Sequence, residues 1–170
     1  LMRAYNAQRV CATAVAVGIA QGAHDLAVEF MEDREAFGQP ISEFQGLRWE
    51  MADAETELEA TRMLMYRAAA NAETVDNNVQ LPDREETALV KSHGPSVAFE
   101  VVNDALQMFG ARGYSKDYPL ERMLRDARMF KIGGGTTEVH KNGIARAIFE
   151  GSDDQLRATL SDFETGDANG

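Results

Sequence analysis

Cysteine, proline and lysine are scarce in this 170-residue chain, and each shortage excludes something. Cys11 is the single cysteine, so no disulfide can form within the chain, and we expect a small, buried, apolar role for it. Only four prolines interrupt a composition rich in Ala, Leu, Met, Glu and Arg, which favours helix.

Positive charge is also in short supply. Lys and Arg number 17 against 28 Asp and Glu, which gives a formal net charge of −11. Because contacts to phosphates need a basic face, this balance argues against nucleic acid or an anionic membrane surface as a partner.

Long apolar runs and metal-binding patterns are missing as well. No run of about 18 apolar residues occurs, so no membrane span is expected. No signal-peptide layout begins at Leu1, and we expect a cytoplasmic protein whose chain continues upstream. His24, His93 and His140 lie far apart, so no metal site is predicted and each is interpreted as a surface or packing side chain.

The apolar side chains recur at three- and four-residue steps, which predicts an all-α fold, an up-and-down bundle of four to five long helices. One helix is expected over about residues 3–34, with Gly38 and Pro40 as breakers after it. A second is expected over about 43–72, with Ser42 and Gln45 as its capping box. Its apolar stripe contains Phe44, Leu47, Met51, Ala54, Leu58 and, beyond a gap at Thr61, Met65.

The second half of the chain is divided in the same way. Residues 73–83 are interpreted as a polar turn, and Asp83 can cap a third helix over about 84–109, which Gly94 and Pro95 should kink or divide. Pro119 suits the first turn of a fourth helix over 120–132, and a fifth is expected over 136–149. We assign residues 1–150 to the bundle and 151–170 to an acidic, partly disordered tail.

Three consecutive glycines, Gly133, Gly134 and Gly135, precede Thr136 at the start of the last predicted helix. Glycines allow positive φ and close approach of a ligand to bare backbone, and the helix start behind them offers unpaired N–H groups. Taken alone, the segment is more typical of a flexible turn than of a binding site.

The sequence around this loop resembles the C-terminal helical domain of the flavin-dependent acyl-CoA dehydrogenases, over roughly residues 1–150. The matching runs are REAFGQPISEFQ (34–45), LQMFGARGY (106–114), KDYPLERMLRDAR (116–128) and the loop itself. The resemblance implies a larger flavoprotein, with N-terminal helical and middle β domains outside this sequence. It also implies FAD as cofactor, an acyl-CoA substrate, a homodimer or homotetramer, and an electron-transfer flavoprotein as a possible partner.

The same resemblance implies a set of cofactor contacts. Arg34 would pair with the FAD pyrophosphate, Phe37 would pack near the flavin or adenine portion, and Gln45 would bond the cofactor of a neighbouring subunit. Gln107 and Gly110 would lie against the adenosine end.

Further implied contacts surround the glycine loop. Thr136 and Glu138 occupy positions that contact FAD, and the N–H of Gly135 occupies the place that binds the thioester carbonyl. The implied substrate-pocket residues are Tyr5, Gln8 and Arg9, the last of which would help to set the loop.

Neither of the two places where this family carries its catalytic Glu holds a carboxylate here. The usual position is Gly134, and the alternative on the first helix is Gln8, whose amide cannot accept a proton at neutral pH. Glu138 is the nearest acid and a weak candidate for a substitute base. The catalytic base is therefore unassigned.

Two classes of function remain open. The first is an enzyme, either a dehydrogenase with a displaced base or a desulfinase-like enzyme that lacks the Glu and acts on 3-sulfinopropionyl-CoA. The second is a non-catalytic subunit that binds FAD and acyl-CoA within a hetero-oligomer. We favour the enzyme because the FAD-contact motifs and Arg9 are retained. The 170 residues alone are expected to be inactive and to bind FAD poorly.

Overall fold

A computed structural model describes residues 4–75 and 79–150. The long helices are α1 (Ala4–Asp33), α2 (Gln45–Ala70) and α3 (Arg84–Phe109). They are followed by α4 (Ala111–Tyr114), α5 (Leu120–Phe130) and α6 (Thr137–Glu150). The predicted all-α bundle is confirmed, and its helix bounds differ from the predicted ones by a few residues. The predicted tail, 151–170, lies outside the described residues.

Two short hairpins join the long helices. Strands β1 (Glu35–Ala36) and β2 (Gln39–Pro40) pair antiparallel between α1 and a 3₁₀ turn, Ile41–Glu43. The two residues between the strands, Phe37 and Gly38, have φ of 55° and 85°, and two positive φ angles are typical of a tight hairpin turn.

The second hairpin replaces the polar turn predicted over 73–83. Strand β3 (Glu73–Val75) pairs antiparallel with β4 (Val79–Leu81), with Thr74 opposite Gln80. The apolar and β-branched residues in this segment suit an extended backbone. They were not recognised as strands because the segment as a whole is polar.

The core is formed where α1, α2 and α3 cross. A Cβ on Gly94 would lie 2.3 Å from Cγ2 of Thr13 and 3.1 Å from Cγ2 of Thr61, so the three helices meet there at a distance only glycine permits. Helix α3 runs through Gly94 and Pro95 as one helix, so a division there is wrong, and the alternative, a kink, stays a prediction. The stripe on α2 is confirmed at Leu58, and Thr61 fills its gap as a buried side chain.

The two predicted helix caps have different outcomes. Asp83 caps α3 as expected, because its Oδ1 accepts hydrogen bonds from the N–H of Glu85 (2.6 Å) and of Glu86 (3.1 Å). The capping box of Ser42 and Gln45 is wrong. Ser42 lies inside the 3₁₀ turn, and α2 starts after Phe44 with no side-chain cap.

Helix α1 departs from two expectations. Cys11 is exposed on it rather than buried. By length and composition alone, the segment Tyr5–Asp33 is also long and apolar enough to cross a membrane, with a mean hydropathy of 1.2 over an 18-residue window. That test is weak because a core helix of a globular protein passes it too, and Ala16, Ala20 and Ala23 of α1 are fully buried in the bundle.

Candidate functional site

The glycine loop begins where α5 ends and is tied to that helix by its backbone. The N–H of Gly133 donates to the carbonyl of Met129 at 2.9 Å, and the N–H of Thr137 donates to the carbonyl of Lys131 at 3.2 Å. Gly134 and Gly135 have φ of 77° and 107°, a region in which a side chain would be strained. Gly134 and Gly135 therefore serve a defined backbone path, which an unconstrained turn would not require.

Side chains from two helices hold the carbonyl of Gly134. Nε of Arg9, on α1, donates to it at 2.8 Å, and Nε2 of His140, on α6, lies 3.4 Å away. The other end of the Arg9 guanidinium donates to Asn6, and the Asn6 amide donates to the carbonyl of Pro82 at 3.1 Å. Arg9 thus links the loop to the start of α3.

Lys91, on α3, lies beneath the same loop and is fully buried. Its ammonium donates to the carbonyl of Phe130 and, at 3.3 Å, to the carbonyl of Gly135. Burial lowers the pKa of Lys91, and the positive charge of Arg9 lowers that pKa further. The buried charge is stabilised by backbone carbonyls, since no carboxylate pairs with it among the described residues.

Gly134 and Gln8, the two positions to which the resemblance assigns a catalytic Glu, come together in space. A Cβ on Gly134 would lie 3.6 Å from Oε1 of Gln8, in ordinary van der Waals contact. Tyr5 is one turn before Gln8 on α1, and its ring lies 5.9 Å from the guanidinium carbon of Arg9. Tyr5, Gln8, Arg9 and the loop therefore form one cluster.

Glu138 lies in the first turn of α6 and is exposed. A hydrogen bond from its own backbone N–H and another from the Thr136 hydroxyl lower the pKa of its carboxyl. Thr136 also caps the helix, because its hydroxyl accepts from the N–H of Val139 at 3.4 Å. A carboxylate with a lowered pKa is a poorer proton acceptor, so the geometry weakens Glu138 as a substitute base.

The remaining predicted contacts lie at the opposite end of the bundle. Arg34 and Gln45 are exposed at the end of α1 and the start of α2, and the Phe37 side chain is 98% exposed. Gln107 and Gly110, at the end of α3, lie beside them, because the rings of Phe30 and Phe109 stack with centroids 4.0 Å apart. The named positions Arg34, Phe37, Gln45, Gln107 and Gly110 form the distal group.

The length of α1 separates the distal group from the glycine loop. Arg9 bonds the loop, Arg34 follows the last residue of α1, and a 30-residue helix is about 45 Å long. One protomer therefore does not bring the two groups into a single site.

Sequence reasoning missed Lys91, and it interpreted His140 only as a surface or packing side chain. His140 packs under the loop, since a Cβ on Gly135 would lie 2.9 Å from its Nε2. A signal for Lys91 existed, because it is the one cation in the run TALVKSHGPSVAF. Among residues 4–75 and 79–150, no three His, Cys, Asp or Glu side chains are arranged to hold a metal ion.

The fold and the site together describe an all-α helical domain in which a glycine loop precedes the last helix of the bundle. The family model described as "Acyl-CoA dehydrogenase, C-terminal domain" matches residues 1–149, and the chain belongs to this family.

The relatives that match include two kinds of enzyme. A 3-sulfinopropanoyl-CoA desulfinase of Paraburkholderia xenovorans is 49% identical over 148 residues, covering 87% of this chain and 37% of the relative. A short-chain specific acyl-CoA dehydrogenase of Clostridium acetobutylicum is 41% identical over 148 residues, covering 87% and 38%. The solved butyryl-CoA dehydrogenase of Megasphaera elsdenii matches with a TM-score of 0.79 and 35% identity, covering 86% and 37%. The chain thus spans little more than a third of the length of these relatives.

Proposed function

We propose that this chain is the C-terminal helical domain of an FAD-dependent enzyme that acts on CoA thioesters. The family supports this proposal, and so does the retention of a built loop between Arg9, Lys91 and His140. Whole relatives with such a domain are named as acyl-CoA dehydrogenases and as desulfinases.

The distal group has the chemistry that a flavin dinucleotide requires. The Arg34 guanidinium suits a pyrophosphate, the exposed Phe37 ring suits stacking on a flavin or adenine ring, and the amides of Gln45 and Gln107 suit ring and ribose edges. These residues would hold FAD together with Gly110, in a contact shared with a second subunit. When bound, FAD would supply a flavin ring next to the substrate, which a dehydrogenation would use as hydride acceptor and a desulfination would leave without net reduction.

We infer that the reaction is desulfination of 3-sulfinopropanoyl-CoA. The observation that carries this inference is the pairing of Gly134 with Gln8, which leaves both family base positions without a carboxylate. α,β-Dehydrogenation needs a base for the α-proton, whereas desulfination does not. In the proposed reaction, water supplies an oxygen to sulfur and a proton to carbon as the C–S bond breaks. Propanoyl-CoA and hydrogen sulfite result, with no net oxidation of an outside partner.

The loop and α1 provide the substrate contacts in this proposal. The N–H of Gly135 donates to the thioester carbonyl, and Tyr5 and Gln8 line the pocket beside it. Arg9 stays bonded to Gly134 and keeps that peptide in place.

The test uses the complete flavoprotein that contains this chain, without oxygen. Saturated acyl-CoAs are added one at a time while flavin absorbance is followed, and 3-sulfinopropanoyl-CoA is assayed in parallel for sulfite. We expect sulfite without flavin bleaching. Bleaching by a saturated acyl-CoA would support a dehydrogenase with a displaced base instead. Neither signal, with FAD bound, would indicate the non-catalytic subunit.

Restoring a carboxylate provides a second test, with the wild type as matched control. Gln8→Glu changes one amide to a carboxylate beside Gly134. We expect the variant to bleach flavin with a saturated acyl-CoA at least about tenfold faster than the wild type, because a positioned general base contributes factors of that order or more. An unchanged bleaching rate with intact FAD content would contradict the inference that the lack of a carboxylate at position 8 is what prevents dehydrogenation.

A further inference from the structure

Lys91 is the largest fully buried side chain in the described part of the chain. Lysine is rarely buried because its ammonium loses hydration, and burial here lowers the pKa of Lys91 accordingly. An apolar side chain would fill the same space without that cost. The position of the charge therefore needs an explanation other than packing.

The two carbonyls that Lys91 contacts belong to different parts of the site. Phe130 is the last residue of α5, where helix carbonyls lack partners within the helix, and Gly135 is in the glycine loop. One ammonium thus fixes the end of α5 and the loop that follows it. The contact also determines which way the Gly135 carbonyl points.

The peptide between Gly134 and Gly135, which precedes the one that Lys91 contacts, is also held through its carbonyl. Its carbonyl oxygen accepts from Arg9 Nε at 2.8 Å and lies 3.4 Å from His140 Nε2. In a trans peptide the N–H points opposite to the C=O, and the described peptide bonds are trans. The Gly135 N–H therefore points away from Arg9 and His140, and it has no acceptor among the described residues.

Two consecutive carbonyls, those of Gly134 and Gly135, are thus fixed by three side chains from three helices. Arg9 is a cation that bonds the Gly134 carbonyl, and a hydrogen bond to a carbonyl polarises its peptide so that the N–H of the same peptide, that of Gly135, becomes a stronger donor. The loop presents a fixed, polarised Gly135 N–H on the side away from Arg9 and His140.

We propose that Lys91 and His140 are positioning residues that orient the Gly135 N–H toward the thioester carbonyl of the substrate. Neither side chain touches substrate. His140, together with Arg9, fixes the carbonyl of the planar peptide that carries the Gly135 N–H, and Lys91 fixes the carbonyl of the next peptide, so that both peptides flanking the Gly135 Cα are held. This inference rests on the proposed function, since it assumes a CoA thioester in the site.

The first test is Lys91→Met in the complete flavoprotein, because Met keeps the apolar stem and removes the donor. The probe is a CoA thioester labelled with ¹³C at its carbonyl, whose infrared stretch reports the hydrogen bond it accepts. We expect the stretch to move toward its value in the free thioester and kcat to fall about tenfold to a hundredfold, with KM changed by less than about threefold. Lys116→Met, which removes an exposed lysine, should leave both unchanged.

His140 provides a test that does not depend on folding of the Lys91 variant. His140→Gln keeps an N–H donor near Gly134, whereas His140→Leu removes it. We expect the carbonyl stretch to shift in the Leu variant and to stay near the wild-type value in the Gln variant. A folded, FAD-loaded Lys91→Met or His140→Leu enzyme with the wild-type stretch and kcat would overturn the proposal.

The proposal and the function on which it rests can fail separately. An active wild type with unaffected variants would refute the positioning role alone. A wild type that binds no CoA thioester in the infrared experiment would refute the proposed function and the positioning role with it.

Discussion

Gly135 has the least room for a side chain in the glycine loop. Alanine there would need φ of 107° and would place its Cβ 2.9 Å from His140 Nε2. We expect Gly135→Ala to lower the free energy of unfolding of the 170-residue chain by about 1–3 kcal/mol, measured by urea denaturation. The control is Gly18→Ala in α1, where nothing lies within 4 Å, and which should gain up to about 1 kcal/mol. Equal changes in the free energy of unfolding in both variants would mean that alanine at position 135 causes no strain.

His140 makes the stability of the loop depend on pH. Burial lowers its pKa below the ordinary 6.5, the hydrogen bond with Gly134 opposes this, and the charges of Arg9 and Lys91 lower the pKa again. The fold therefore favours neutral imidazole. That contribution to stability is complete above pH about 6.5 and is lost as pH falls from there toward the lowered pKa.

The prediction concerns how the free energy of unfolding changes with pH in the wild type and in His140→Gln. Between pH 7 and 5, the free energy of unfolding should fall more in the wild type than in His140→Gln, which has no imidazole to titrate. Urea denaturation at several pH values measures this difference. Parallel pH profiles would contradict a buried neutral His140.

At the scale of elements, the crossing of α1, α2 and α3 depends on Gly94. A Cβ there would meet Thr13 at 2.3 Å and Thr61 at 3.1 Å, so Gly94→Ala must push the helices apart. We expect a loss of about 1–3 kcal/mol, the usual cost of overpacking a core, measured as a shift of the denaturation midpoint. Gly46→Ala is the control, because Gly46 lies near the start of α2 with nothing within 4 Å. A similar shift in both variants would refute close packing at Gly94.

The elements also show where sequence reasoning succeeded and where it failed. The α2 stripe and the Asp83 cap were predictable because both depend on residues within a few positions of each other. The Ser42 cap failed because the 3₁₀ turn shifts the start of α2 by two residues. Continuity of α3 through Pro95 was not predictable, since it depends on packing against α1 and α2.

At the scale of the whole molecule, the described surface leaves several large aromatic rings exposed. The exposed fractions are 98% for Phe37, 61% for Trp49, 60% for Tyr66 and 83% for Tyr114. Exposed apolar surface of this kind often marks contacts with other chains. We expect the 170-residue chain to self-associate, and Trp49→Ser should shift its mass toward monomer in light scattering. Arg48→Ser is the control at the neighbouring exposed position, and a monodisperse wild-type monomer would contradict the expectation.

Cofactor retention belongs to the same scale. The glycine loop and the distal group are separated by the length of α1, so one copy of the chain provides only parts of a flavin site. We therefore expect the isolated chain to purify without flavin, even when it self-associates. Purification with stoichiometric FAD, read from its absorbance, would contradict this.

The sequence by itself determined the helices and the family likeness, because each depends on residue type or local spacing. Only the tertiary structure brought Arg9 to Gly134 across 125 positions and buried Lys91 beneath the loop. The physical reason is that the direction of a loop N–H follows from which distant side chains hold the neighbouring carbonyls. Such contacts form when helices pack, and no local pattern encodes them.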